Sequence, residues 1–259
     1  MSKVRSVSRA VRILEVFGQG SALTVTEVAR SLRLPKSSVY ELLATLAAEG
    51  LVEKDSSNGR YHLGLRLLEL AYAVRHNLEL SRVARPQLEK LAARLDETVQ
   101  LTVLDRGQIL YIDGCESTRQ LRTFFDLGDR APLHCTALGK AILAFLPPPE
   151  IERIIRAKGL RRFTANTLTR AATLRSELAR TAERGYSVDN MEHEEGVRCI
   201  GAPIRDREGA ASASISVSGP STRLTPERDA EIARLVVQAA EEISRRLGYR
   251  PTVVSEERR

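Results

Sequence analysis

The densest run of side chains able to recognise a polyanion lies between residues 36 and 60. Lys36, Ser37, Ser38, Tyr40, Glu41 and Thr45 share one face of a helix read over residues 36–49. An apolar stripe of Val39, Leu42, Leu43 and Leu46, spaced i, i+3, i+4 and i+7, occupies the other face. Short hydroxyls and a phenol hydrogen-bond phosphate oxygens and base edges, whereas a face that only needs solvating carries alternating Glu and Lys. Asn58 and Arg60 follow in a second polar cluster that can lie along a sugar-phosphate backbone or enter a minor groove. The chemistry these residues imply is recognition of double-stranded DNA.

The flanking sequence supplies what such a helix needs to be presented. Pro35 suits a first helical turn, where its missing N–H would be unpaired anyway, and Gly50 suits a left-handed stop. A shorter helix begins at Thr24 with Glu27 at capping-box spacing and turns Val28, Ala29 and Leu32 inward. Upstream, Val7, Ala10, Val11, Leu14 and Phe17 recur at helical spacing before Gly18-Gln19-Gly20. Downstream, Leu51 and Val52 lead into Asp55-Ser56-Ser57-Asn58-Gly59, where Asn-Gly predicts a hairpin turn, and Arg60, Tyr61 and His62 return the strand. Helix, capped helix, turn, helix and hairpin in this order predict a winged helix-turn-helix over residues 1–65.

With 259 residues and 42% hydrophobic content, the chain is long enough for two ordinary domains. Its formal charge of +7 favours a polyanionic partner, although residues 1–65 hold only nine Lys and Arg against six acids. No signal-type apolar run follows the initiator and no stretch approaches about 18 continuous apolar residues, so a cytoplasmic protein with no membrane partner is expected. Cys115, Cys135 and Cys199 form an odd, unpatterned set in which disulfides are not expected.

Beyond the wing, Leu67, Leu70, Ala71, Val74 and Leu78 predict a connecting helix from Gly64 to about Leu80, assigned to a linker at 66–80, whose stripe can pair with a second subunit. A helix bearing Leu88, Leu91, Ala92 and Leu95 precedes a hairpin that alternates Val99, Leu101 and Val103, turns at Asp105-Arg106-Gly107 and returns through residues 109–112. Further strands are read at residues 120–125, 186–189, 198–204 and 211–218. Helices are read at 137–146, 151–157, 171–183 and 226–247, so hairpins between helices predict an α+β domain over 81–250 with an antiparallel sheet rather than a Rossmann fold. Residues 251–259 are read as a flexible tail.

Three stretches in this order resemble the IclR family of bacterial transcriptional regulators. They are Ala10-Val11-Arg12-Ile13-Leu14 with the winged unit, GDRAPLHCTALGKAILAFLP at 128–147, and RGYSVDNMEHEEGVRCIGAPI at 184–204 followed by ISVSGP at 215–220. The resemblance spans nearly the whole chain. It implies an N-terminal winged helix-turn-helix, a linker helix and a GAF-like effector-binding domain. It further implies a regulator that acts as a homodimer or dimer of dimers on a palindromic operator in response to a small organic or aromatic acid; of the two signs of regulation, which the sequence leaves open, repressor is favoured over activator. It places the effector site at Ala137, Leu138, Asp189, Cys199, Ser216 and Ser218, and it implies no cofactor. Backbone N–H groups at a helix start suit a carboxylate, and Ser216 and Ser218 share one strand face.

Other chemistries compete for the same residues. Cys199 with Asp189 and His193 has the residue types of a nucleophile set, but Cys also packs as a small hydrophobe on a strand and a sensor site accounts for all three. His134, Cys135, His193 and Cys199 include metal-binding types without paired ligand spacing. A phosphate loop around Leu138-Gly139-Lys140 would need Gly at 134 and Ser or Thr at 141, where this chain has His134 and Ala141. Lys140 is then expected to be a partly solvated helix residue or a local ion-pair partner. No catalytic residue and no metal site are expected.

Overall fold

The computed structural model describes residues 4–18 and 22–250. The chain divides into two compact units, Met1–Asn77 and Leu78–Arg259. Gln19, Gly20 and the expected tail at 251–259 lie outside the described residues.

The first unit contains α1 (Arg5–Phe17), α2 (Val25–Leu32), α3 (Lys36–Ala48), β1 (Val52–Lys54), β2 (Tyr61–Leu63) and α4 (Arg66–Asn77). Ile13, Val28, Val39 and Leu43 are wholly buried in its core, each stabilising the fold by about 1.5–3 kcal/mol relative to exposure. In α1 the inward stripe is Ala10, Ile13, Leu14 and Phe17, while Val7 and Val11 are exposed, contrary to the expected stripe. Ala10, Leu14 and Phe17 belong to both stripes, and the larger Ile13 joins them in the core in place of Val7 and Val11.

The capping box forms as the spacing requires, with Thr24 N–H donating to Glu27 Oε2 at 2.7 Å and Glu27 N–H to Thr24 Oγ1 at 3.3 Å. The wing is longer than a two-residue Asn-Gly turn. Asp55 accepts from Ser57 N–H and Oγ–H at 2.8 and 2.6 Å, closing a six-residue loop over Asp55–Arg60 in which Gly59 takes the positive φ of 71°. Leu23 exchanges two backbone bonds with Tyr61, at 2.9 and 2.8 Å, which ties the loop before α2 to the wing. The connecting helix stops earlier than read: α4 ends at Asn77, and Leu78 is extended before α5 (Glu79–Leu95). Asn is a weak helix former that prefers turns.

The second unit adds β3 (Thr98–Asp105), β4 (Gln108–Cys115), β5 (Arg130–Ala131), α6 (Ala137–Leu143), α7 (Pro148–Lys158), α8 (Ala171–Arg184), β6 (Ser187–Asn190), β7 (Val197–Arg205), β8 (Ala211–Pro220) and α9 (Asp229–Arg246) to α5. Its six strands form an antiparallel sheet in the order β5-β4-β3-β8-β7-β6. Arg106 and Gly107 close the β3–β4 hairpin with φ of 51° and 74°, the handedness that matches strand twist. Residues 120–125 are not a strand. The outer edge of β4 is taken instead by the chain at 128–131, where Tyr111 pairs with Gly128 and Asp129 at 2.9 and 3.0 Å.

In β8, Ala213, Ile215 and Val217 pack with α5 and α9, while the intervening Ser214, Ser216 and Ser218 are buried on the opposite face. A serine row buried under helix α6 cannot be solvated, so it must meet polar partners. Helix α6 is pressed tightly into place. A Cβ at Gly139 would stand 2.4 Å from both Cα and O of Leu133, and Ser187 Oγ donates to the Ala137 carbonyl at 2.5 Å. Gly139→Ala is therefore expected to destabilise the protein by at least about 1–3 kcal/mol, read as a lowered urea midpoint.

Candidate functional site

Strand register builds the site. Asp189 on β6 lies opposite Cys199 on β7, Cys199 opposite Ser218 on β8, and Ser216 opposite Gln100 on β3. With the N-terminal end of α6 these residues enclose a cavity of about 180 Å³. All six residues that the resemblance assigned to an effector (Ala137, Leu138, Asp189, Cys199, Ser216 and Ser218) line it. For comparison, a cavity of about 150 Å³ accommodates benzene.

The lining includes groups that the sequence reading missed. Gln100 Oε1 accepts from Ser216 Oγ at 3.3 Å and from Ser218 Oγ at 2.9 Å, and Ser218 Oγ lies 3.0 Å from Cys199 Sγ. Tyr111, Thr123, Thr136 and His193 complete much of the wall. The available signal was period-2 placement: Gln100 interrupts the apolar run Val99-Gln100-Leu101 just as the serines interrupt β8.

Lys140 is neither solvated nor locally paired. It is completely buried and donates to Glu192, 52 residues away. Glu192 N–H in turn donates to Asp189 Oδ1 at 2.7 Å, and its carbonyl accepts from Thr167 Oγ1 at 2.7 Å and Thr164 Oγ1 at 3.2 Å. Met191, at φ 56°, takes the left-handed turn that aims these groups, at a cost of about 1–2 kcal/mol. Burial raises the Asp189 carboxyl to about 7, a rise limited by the Glu192 N–H and the Lys140 charge.

Burial likewise raises the Cys199 thiol far above its ordinary range and pushes Cys135 up to about 12. Thiols held protonated are poor nucleophiles, and His193 packs against Phe163 in a tilted arrangement, with centroids 5.1 Å apart. No group of three or more His, Cys, Asp or Glu is arranged to hold a metal among the described residues.

In the first unit Lys36, Ser37, Tyr40 and Thr45 are exposed along α3, and Ser38 is half-buried. Thr45 Oγ1 donates to the Glu41 carbonyl at 2.9 Å. Asn58 braces the wing loop, its Nδ2 donating to Asp55 Oδ2 at 2.6 Å and its Oδ1 accepting from Arg60 N–H at 2.9 Å. Arg60 spends Nη1 on the Ala22 carbonyl, at 2.7 Å, and on Glu27 Oε2, at 3.2 Å.

A winged helix-turn-helix joined to a separate unit with a small polar cavity has the parts of a DNA-binding regulator of transcription. Residues 6–56 match the IclR helix-turn-helix domain and residues 72–245 the bacterial transcriptional regulator IclR C-terminal domain. The chain belongs to the IclR family. It is 39% identical over 241 residues to the HTH-type transcriptional regulator BhcR of Paracoccus denitrificans, covering 93% of this chain and 86% of that one. It is 36% identical over 250 residues to the HTH-type transcriptional repressor AllR of Salmonella typhi, covering 96% and 92%. The structure of an IclR homolog from Microbacterium hydrocarbonoxydans complexed with 4-hydroxybenzoate superposes with a TM-score of 0.82 at 28% identity, covering 93% of this chain and 98% of that one.

Because the Asp189 carboxyl rises from an ordinary 3.8 to about 7 on folding, the folded chain holds a proton there that the unfolded chain has released. The stability that this proton confers is complete below about pH 4 and is lost as pH rises through about 7. Asp189→Asn should therefore flatten the fall in stability between those values. Urea unfolding of both proteins across that range checks it, and identical pH profiles would remove Asp189 as the cause.

Proposed function

We propose that this protein is a ligand-responsive, cytoplasmic repressor that binds a palindromic operator as a homodimer or dimer of dimers and senses a small organic or aromatic acid in the cavity beneath α6. The observation that carries this reading is the convergence of Asp189, Cys199, Ser216 and Ser218, from three strands, on one small polar cavity. Similarity to a relative named as a repressor and to a homolog holding 4-hydroxybenzoate supports both halves of it. The wall offers N–H donors at the start of α6, and the Ser216 and Ser218 hydroxyls, which donate to Gln100 Oε1 in the ligand-free protein, would have to turn from it to donate to an acid. Asp189 in its protonated form adds another, which favours a keto or hydroxylated acid whose second oxygen can meet it.

On the DNA side, α3 enters the major groove with Lys36, Ser37, Ser38, Tyr40 and Thr45 nearest the duplex, while Asn58 and Arg60 hold the wing against the backbone. Arg60 retains its Nε and Nη2 donors for a phosphate while Nη1 anchors the wing to α2. Pairing of two subunits falls to the α4 stripe Leu67, Leu70, Ala71 and Val74, and is supported by the exposure of Leu70 and Val74 within it. A two-fold pair sets reading helices about 34 Å apart or a multiple of it, hence a palindrome.

Operator sequences enriched from random duplexes by the full-length protein test the docking. Tyr40→Ala should change the enriched sequence, and Arg60→Ala should weaken binding evenly while lowering the salt slope by about one unit. If both variants enrich the wild-type sequence with wild-type affinity, this docking is wrong. On the same operator, the combined Ser216→Ala and Ser218→Ala change should abolish release by an acid that releases the wild type, with ligand-free affinity nearly unchanged. A double variant that still responds at wild-type concentrations would place the sensor elsewhere.

A further inference from the structure

A second cleft, of about 210 Å³, lies in the same unit among α7, the start of α8, the β3–β4 turn and the chain around residues 132–134 and 159–163. Its floor is apolar, built from Leu133, Leu143, Ile154 and Leu174, all buried. Phe163 closes one side, its ring centroid 6.2 Å from that of His134 and 5.1 Å from that of His193. His193 lines the first cavity and Phe163 the second, so the two sites have separate linings that meet where these two rings touch.

The rim is cationic. Lys158 and Arg161 both line the cleft, and no Asp or Glu does. Four cations on the neighbouring helices are committed: Arg153 to Glu150, Arg175 to Glu152, and Arg180 and Arg184 to Glu177. Lys158 and Arg161 have no ion pair among the described residues. The Lys158 stem lies over Gly107, its Cε 3.2 Å from where a Cβ would stand there, and the Arg161 guanidinium sits 5.2 Å from the Phe163 ring centre.

His134 Nε2 donates to the Arg161 carbonyl at 3.0 Å, which pins this wall. Burial lowers the His134 imidazole below its ordinary value, so near neutral pH the positive charge at the cleft belongs to the two longer side chains.

We propose that this cleft is a second small-molecule site, taking a compact organic monoanion whose apolar body fills the floor and whose carboxylate is held by Lys158 and Arg161. A neutral apolar molecule would leave both cations without a partner, and a long-chain acid would exceed the volume. The site gives the sensor unit an input independent of the first cavity.

Sodium benzoate is the probe, with benzyl alcohol as its neutral counterpart. Full-length protein carrying 13C-labelled isoleucine methyl groups is titrated with each. The proposal expects saturable benzoate shifts at the Ile154 methyl, weakened about tenfold or more in Lys158→Ala/Arg161→Ala through loss of charge-assisted bonds. Benzyl alcohol should bind that variant and the wild type alike. Both substituted residues are exposed, so the variant keeps its fold. Three results each overturn the site: no Ile154 shift by about 10 mM benzoate, an unchanged benzoate affinity in the double variant, or loss of the Ile154 shift in Ser216→Ala/Ser218→Ala, which would trace it to the first cavity.

Discussion

The second unit depends on one buried ion pair. Lys140 is wholly enclosed and Glu192 nearly so, and removing two such charges from water costs several kcal/mol per ion. The second Glu192 carboxylate oxygen has no hydrogen-bond partner among the described residues, so the pair is poorly designed for stability alone. Its value lies in what it fixes. Lys140 is on the helix that roofs the cavity, and Glu192 is in the chain that walls it. The Glu192 backbone is bonded on one side to Asp189 and on the other to Thr164 and Thr167. Moving either partner would move the roof, the wall and the titrating carboxyl together.

The two units solve different problems with the same economy of parts. In the first, three short helices bury one core, and the wing is held by the Leu23–Tyr61 bridge and by Arg60 on the capping box of α2. The face of α3 that carries Tyr40 is thereby left free of structural duty. In the second, the sheet presents an apolar face to α5 and α9 and a polar, buried face to α6. A face of that kind is unstable unless something satisfies it, and here the satisfying groups also make the cavity.

Most of the fold was legible in the sequence, because it rests on local rules. The Thr24–Glu27 box, the inward stripe of α3, the Arg106-Gly107 turn and the alternation of β8 each depend on residues close in sequence. What escaped depends on long-range competition. Residues 120–125 have strand-like composition, but the β4 edge they would need is occupied by 128–131. Val7 and Val11 match helical spacing, yet Ile13, absent from the expected stripe, joins Ala10, Leu14 and Phe17 in the core in their place. The six assigned cavity residues were legible through the family resemblance, whereas Gln100 was readable only as a polar interruption in an apolar strand. Lys140 could not be placed from its own neighbourhood, since its partner lies 52 residues away.

The measurement that bears most directly on this account is a double-mutant cycle on Lys140 and Glu192, by urea unfolding at neutral pH. Lys140→Met alone should destabilise the protein by about 3–5 kcal/mol, because it strands a buried carboxylate. Adding Glu192→Gln should recover much of that loss, giving a coupling well above the roughly 0.5 kcal/mol within which independent sites add. Simple additivity of the two substitutions would contradict the claim that this pair holds the cavity together.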